Sequence, residues 1–400
     1  MKLPALLSAT LLAGCATAPL DAATVHERIL TLDTHVDIPL DYMPADGGEG
    51  VDPGTVTDAQ VDLPKMAAGG LDSAFFIIYT PQTSVTPANI AEARSIAETR
   101  YRAIDRLVRT YPDRVALAKT ADEVESIVAS GRIAALIGME NAYPLGNSVD
   151  DIPMWAERGV RYVGLTHFGA NPFGDSSGTK PYETDAALST HGGLSPLGRD
   201  LVRALNDHGI LVDISHAGDE TARQAMELSR VPVIASHSGV DGVYSHPRNL
   251  SDDLLDKLRD TGGVVQLVAL AGYVKGFTDE QMAALEVLEQ REAAAGRDPS
   301  EPHDEFDREM ERIEAMAPRA TVADYVDHID YAVNRIGIDH VGIASDFDGG
   351  GGITGWQDAS QTRAVTAALL ARGYSERDIA KIWSGNVLRI MRQAEWGARK

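Results

Sequence analysis

Ile29-Leu30-Thr31-Leu32-Asp33-Thr34-His35-Val36-Asp37 is an apolar, β-branched run that stops on two metal-ligating side chains. The same ending recurs down the chain. Ile210-Leu211-Val212-Asp213-Ile214 runs into Ser215-His216, and Val231-Pro232-Val233-Ile234 into Ala235-Ser236-His237. Val341-Gly342-Ile343 leads to Ser345-Asp346-Phe347-Asp348. These runs are apolar nearly throughout rather than alternating, as strands covered on both faces are. Ligand side chains repeated at the carboxyl ends of buried parallel strands are how a TIM barrel assembles a metal site.

Eight such strands are predicted: Ile29–Thr34, Leu71–Tyr79, Ile133–Met139, Val160–Thr166, Ile210–Ser215, Val231–Ser236, Gly263–Ala269 and His340–Ser345. Helical patterns at Pro87–Thr110, Ala121–Ser130, Pro196–Asp207, Glu220–Ser229 and Ser251–Thr261 lie between them. This alternation predicts a single (β/α)8 TIM barrel domain over residues 21–400, with a metal site at the C-terminal ends of the strands. A doubly wound open sheet would gather its ligands at one switch point, whereas here they come from strands all round the series. Two segments break the rhythm. Residues 38–70 are rich in Gly, Pro and Asp. Residues 278–320 are acidic, with Leu285, Leu288, Met310 and Ile313 at helical spacing, and are expected to form a helical insertion.

The 400 residues carry 36 Lys and Arg against 59 Asp and Glu, a formal charge of −23, which argues against a nucleic-acid partner. Met1-Lys2, an apolar run to Gly14 and then Cys15 form an export signal too short to span a bilayer. Leu12-Ala13-Gly14-Cys15 resembles a bacterial lipobox, so residues 1–20 are read as a lipoprotein signal and tether. The expected product is exported and lipid-anchored through Cys15 to the outer membrane, facing the periplasm; Ala16 after the cysteine resembles outer-membrane sorting. Ordinary cleavage after Ala18 would leave Pro19 directly at the cut. Cys15 is the only cysteine, so any metal must be held by His, Asp and Glu.

His35 and Asp37 lie two apart on a strand, share a face, and can hold one ion together. Glu140 ends Ile137-Gly138-Met139-Glu140, and its two oxygens could bridge two ions. His216 and His237 take equivalent positions on successive strands, and imidazole suits zinc. Asp346 is placed to take a proton from a water between two metals, and is preferred for this role to Asp348, which shares its motif. His167, ending Leu165-Thr166-His167, could polarise a substrate carbonyl or an oxyanion. Arg248, in His246-Pro247-Arg248-Asn249, could clamp a carboxylate at two points. His208 and His340 begin strands, at the face opposite the site, and are given no function. His26, His191, His303 and His328 have no supporting context either.

With these motifs the chain resembles the membrane (renal) dipeptidase family, zinc dipeptidases of the amidohydrolase superfamily. The likeness runs from about Ile29 to Leu388 and rests on Asp33-Thr34-His35-Val36-Asp37, Leu165-Thr166-His167 with Asn171 and Asp175-Ser176, Asp213-Ile214-Ser215-His216, Ala235-Ser236-His237-Ser238, Pro247-Arg248-Asn249 and Ser345-Asp346-Phe347-Asp348-Gly349. The resemblance implies two zinc ions, one on His35 and Asp37, the other on His216 and His237, with Glu140 bridging. It implies that His167 and Arg248 contact a dipeptide and that Asp346 handles the proton. The expected reaction is attack on the peptide bond by a hydroxide bridging the metals. Tolerance of a D-residue at the C-terminal position and a homodimer are further implications. One departure stands out. Where the family often has Val-Asn-Phe-Tyr, this chain has Leu267-Val268-Ala269-Leu270, and Tyr273, three residues on, is not a simple replacement.

Two alternatives stay open. One is another amidohydrolase activity: a lactonase, phosphotriesterase, deaminase or amidase. His-x-Asp in place of His-x-His, and no lysine at the end of the fourth strand, disfavour it. The other is a lipoprotein that binds peptides without cleaving them, against which the intact ligand set with Asp346 argues.

Overall fold

The structure, a computed structural model, describes residues 21–45, 48, 50–178, 189–294 and 304–398. The export signal with Cys15, and His303, lie outside the described residues. Among the described residues ten strands occur in chain order: β1 Leu32–Asp37, β2 Ser73–Tyr79, β3 Val115–Leu117, β4 Ile133–Glu140, β5 Val160–Gly164, β6 Leu211–Asp213, β7 Ile234–Val240, β8 Asn249–Leu250, β9 Val264–Val268 and β10 Val341–Ala344. Eight pair in the order β1-β2-β4-β5-β6-β7-β9-β10. The pairing is parallel; β2 and β4, for example, run in register from Ser73 opposite Ala134 to Tyr79 opposite Glu140. The ends then meet: the Asp37 N–H donates to the Phe347 carbonyl at 2.9 Å and the Asp346 N–H to the His35 carbonyl at 3.1 Å. The result is the nearly closed (β/α)8 barrel that the sequence predicts.

Three differences have physical causes. β3 and β8 are short additions to the edges of β4 and β7, too brief for hydrophobic periodicity to register. β7 begins at Ile234 rather than Val231, because Pro232 has no N–H to give a ladder. β1 extends to Asp37, so His35 and Asp37 belong to the strand itself, and its register with β2 shifts between Asp33 and Val36.

One apolar cluster takes a side chain or two from most barrel strands, including Leu32, Phe75, Ile77, Leu136, Tyr162, Leu211 and Val264. Val387, Leu388, Ile390 and Met391 of the helix Asn386–Gly397 join it. Each fully buried aliphatic or aromatic side chain of this kind contributes about 1.5–3 kcal/mol. The outer faces of the strands pack on the helices. Helix Pro87–Thr110 starts with Thr86 accepting from the Asn89 N–H and a proline in its first turn. It packs on β2 and buries Ala93, Ala97, Ile104 and Leu107, the i, i+3, i+4 stripe of an amphipathic helix. Within the stretch 278–320, helices Asp279–Ala294 and Asp304–Glu314 pack on each other, tied by Gln281 Nε2 donating to the Ile313 carbonyl. Among the described residues no helix is long and apolar enough to cross a membrane.

Candidate metal centre

Strand ends put the ligand candidates around one cavity of about 290 Å³ at the carboxyl mouth of the barrel. Asp37, Glu140, His167, His216, His237 and Asp346 line it, with Tyr79, Arg100, Leu270 and Tyr273 on its walls. Glu140 is the hub. Its Oε2 lies 3.4 Å from His35 Nε2, while its Oε1 lies 2.9 Å from His216 Nε2, 3.3 Å from His237 Nε2 and 3.7 Å from His167 Nε2. His35 Nε2 is also 3.6 Å from Asp37 Oδ2 and 3.8 Å from Asp346 Oδ1.

These spacings fit cations. His216 Nε2 and His237 Nε2 stand 2.9 Å apart. Ligands about 2.0–2.1 Å from a tetrahedral zinc are about 3.3 Å from one another, close to the separations among these two nitrogens and Glu140 Oε1. Among the described residues His35 Nε2 and Asp37 Oδ1 are buried with no hydrogen-bond partner, a costly arrangement unless something else occupies them. Among the described residues three sets of donor atoms lie within 4.8 Å of one another: His35, Glu140 and His237; Glu140, His167 and His216; His35, Asp37 and Asp346.

A second layer aims the imidazoles. Tyr162 Oη donates to the Thr34 carbonyl at 3.0 Å and sits 2.9 Å from His35 Nδ1. Its single hydrogen is thus used, so it accepts from His35 Nδ1–H, which leaves Nε2 free for the cavity. Gly138 makes room for this ring, since a Cβ there would stand 2.3 Å from Tyr162 Cζ. On the other side Ser236 Oγ donates to Asp213 at 2.7 Å and lies 2.8 Å from His237 Nδ1, fixing the same tautomer. Asp33 and Asp213 play matching parts below the site. Asp33 Oδ1 accepts from the N–H of His35 and Ser345, and Asp213 Oδ1 from the N–H of Ser215 and Ser236. Each carboxylate therefore ties one ligand turn to its neighbour.

Backbone strain also concentrates here. Asn141, His216, Asp346 and Asp348 all have positive φ, between 59° and 74°. Such residues cost about 1–3 kcal/mol each and persist where the surroundings hold them. Gly349 is required by the same crowding, because a Cβ would stand 2.1 Å from Asp37 Oδ2 and 2.6 Å from Asp346 Oδ1.

Burial and neighbouring charge set the titratable groups of the site apart. Burial pushes the Glu140 carboxyl up, but the His35 charge and the close imidazoles of His216 and His237 outweigh it and hold it well below the ordinary value. Burial pushes His35 down, yet Glu140 and Asp37 lift it well above the usual imidazole range. His216 and His237 are driven well below that range, chiefly by burial. Burial, aided by Asp37 and Glu140, raises Asp346 well above an ordinary carboxylate.

The remaining sequence candidates sit as follows. Arg248 is buried and is not on the cavity wall; Nη2 donates to the His237 carbonyl at 2.9 Å, and its guanidinium stacks 5.4 Å from the Tyr273 ring centre. Tyr273 reaches the cavity beside Leu270, so an aromatic ring is present there although the family position holds leucine. Asp348 accepts from the N–H of Gln60 and Val61, fastening the 38–70 segment. His208 and His340 bond local carbonyls, those of Ala204 and Gly263. His26, His191 and His328 each bond backbone carbonyls away from the metal donors. Sequence reasoning missed Tyr162 and Ser236, which read as core and strand, and Arg100, whose charge within the apolar stripe of its helix was the available signal.

Parallel strands whose ends converge imidazoles and carboxylates on one cavity define a barrel metallohydrolase. The chain belongs to the membrane dipeptidase family, peptidase family M19, whose family model matches residues 20–400. Dipeptidase tcpJ of Claviceps purpurea is 33% identical over 341 residues, 84% of this chain and 69% of that protein. The structure of the probable dipeptidase PvdM from Pseudomonas aeruginosa is 35% identical, with a TM-score of 0.84 over 94% of this chain and 98% of that one. A metallo peptidase from Rhodobacter sphaeroides, liganded with a phosphinate mimic of L-Ala-D-Ala, shares the fold at 24% identity, with a TM-score of 0.70 over 92% and 99% of the two chains. The protein is thus a dipeptidase-family metallopeptidase, an enzyme of peptide-bond hydrolysis.

Proposed function

We propose that this chain is a two-zinc dipeptidase acting on free dipeptides, including those with a D-residue at the C-terminal position. The observation that carries the reading is Glu140, with one oxygen beside His35 and the other beside His216 and His237. On this reading His35 and Asp37 would hold one ion and His216 and His237 the other, with Glu140 serving both. A His and carboxylate set without thiolate suits zinc. When bound, the ions supply Lewis acidity to the scissile carbonyl and to the attacking water. The protein's own groups do the rest. Asp346 takes the proton of the attacking water on its carboxylate and delivers it to the leaving amine nitrogen. His167 stands at the wall to hydrogen-bond the substrate oxygen, and the Tyr273 side of the cavity, where the Arg248 guanidinium stacks on that ring, receives the free carboxylate. A cavity of about 290 Å³ is at the small end for ligand pockets, which suits a dipeptide better than a longer chain.

The test is hydrolysis of L-Ala-L-Ala and L-Ala-D-Ala by zinc-loaded and chelator-stripped protein. Turnover of both, lost on stripping and restored by zinc, supports the reading. Zinc-loaded protein that cleaves a lactone but neither dipeptide would favour another amidohydrolase activity. Lipid anchoring at Cys15 in the outer membrane, with the domain facing the periplasm, belongs to the same proposal. Cys15→Ser should release the protein from membranes or block its maturation; wild-type protein found only in the soluble fraction would count against it. The homodimer is checked by light scattering, where a monomer mass would remove it.

A further inference from the structure

Helix Pro87–Thr110 turns its buried stripe of Ala93, Ala97, Ile104 and Leu107 to the sheet, and Arg100 stands in the middle of it, only 9% exposed. A cation at a core position is costly unless it is paired. Among the described residues Arg100 has no ion-pair partner. Asp37 and Glu140 feel its charge without bonding to it. Its stem runs along the helix–sheet interface and carries the head to the end of β2, where Nη1 donates to the Tyr79 carbonyl. Nε is buried with no acceptor. The guanidinium lies 5.0 Å from the Tyr79 ring centre, that ring lies 4.9 Å from His167, and all three residues line the cavity. Arg100 is therefore a guanidinium on the cavity wall with donors to spare.

Its position says which part of a substrate it meets. Tyr79 ends β2, and Arg248 follows β7, four strands further round an eight-strand barrel and so on the opposite side. With the free carboxylate on the Arg248 side and the scissile bond above Glu140, the N-terminal residue extends toward Arg100. We propose that Arg100 is a specificity residue that binds an acidic side chain on the N-terminal residue of the dipeptide, aspartyl or glutamyl. This rests on the dipeptidase reading. A carboxylate there would accept from the unused N–H groups of the fork and give the buried cation its counter-charge.

The experiment compares kcat/KM for Glu-Ala, Asp-Ala and Ala-Ala with zinc-loaded wild type, Arg100→Gln and Arg100→Lys, recording bound zinc and melting temperature for each. Wild type should prefer the acidic substrates. Arg100→Gln should lose about 10- to 100-fold on Glu-Ala, the worth of a charge-assisted hydrogen bond, and far less on Ala-Ala. Arg100→Lys should recover part of the loss, with bound zinc retained in both variants. Product inhibition of wild type, which needs no variant, should be stronger with L-glutamate than with L-alanine. No acidic preference in wild type, or equal losses on Glu-Ala and Ala-Ala, would overturn the inference while leaving the dipeptidase intact. Equal inhibition by the two amino acids would overturn it too. Zinc-loaded wild type that cleaves none of the three dipeptides would sink the dipeptidase reading itself, and this inference with it.

Discussion

Tyr162→Phe removes one oxygen from the layer behind His35 and keeps the ring that fills the barrel. The lost hydroxyl makes two buried contacts, 2.9 Å to His35 Nδ1 and 3.0 Å to the Thr34 carbonyl. Each such hydrogen bond contributes about 0.5–1.5 kcal/mol, and each buried group left unpaired costs about 1–3 kcal/mol. The metal-free protein should therefore lose about 2–4 kcal/mol of stability. The larger consequence is at Nε2. Without its acceptor, Nδ1–H no longer fixes ring orientation and tautomer, and mutations of such outer partners lower metal affinity by about 10- to 100-fold. Thermal unfolding of the stripped protein measures the first effect, and zinc competition with a chromophoric chelator the second. Gly138→Ala is the companion variant. It keeps the hydroxyl but places a Cβ 2.3 Å from Tyr162 Cζ, so the ring must move and zinc binding should weaken similarly. Zinc affinity within twofold of wild type in Tyr162→Phe, with only stability lost, would show that Tyr162 packs the barrel and does not aim His35.

Other consequences are simpler to state. Asp346→Asn keeps the shape but cannot accept a proton, so turnover should fall about 100- to 10,000-fold with zinc content near normal. If that variant instead loses zinc and recovers activity when zinc is added, Asp346 is a ligand. Arg248→Ala should cost free dipeptides about 1–3 kcal/mol in kcat/KM and dipeptide amides much less; equal losses would remove Arg248 from carboxylate binding. Zinc uptake should depend on pH through His35. Against the pull of burial, Glu140 and Asp37 lift it well above the ordinary range, so a proton is held there more firmly than on a free imidazole. His216 and His237 are already neutral, because burial lowers them. Zinc must displace the His35 proton, so affinity should rise with pH, and calorimetric heats should vary with buffer ionisation enthalpy. Heats independent of buffer would contradict this.

Much of this was legible because two signals coincide. Continuous apolar runs mark strands covered on both faces, and the residue at the end of such a run in an α/β barrel faces the site. That is why His35, Glu140, His216, His237 and Asp346 could be named before any coordinates. Boundaries were less legible. Pro232 shortens β7 at its start, and β3 and β8 are too short to carry a pattern. The second layer was hidden for another reason. Tyr162 in Val160–Gly164 has the look of any buried strand aromatic, and only the closed barrel brings its hydroxyl beside His35, 127 positions away in the chain. Arg248 shows the converse. Its motif places the loop after a strand end, but a loop motif does not say whether the guanidinium reaches the cavity or stacks on Tyr273. Arg100 is a charge at a core position of its helix, a signal that apolar periodicity alone does not carry.

The central claim is that Glu140 joins two metal sites into one catalytic centre. It is tested most directly by titrating zinc into stripped wild type and Glu140→Gln, measuring bound zinc per chain and L-Ala-L-Ala hydrolysis on the same samples. An amide offers one good acceptor oxygen and no charge, so it cannot serve both sides. The account predicts two zinc ions per wild-type chain, with hydrolysis complete only when both are bound, and fewer than two with no useful turnover in Glu140→Gln. Two tightly held zinc ions in Glu140→Gln, or dipeptide hydrolysis by stripped wild-type protein, would contradict it.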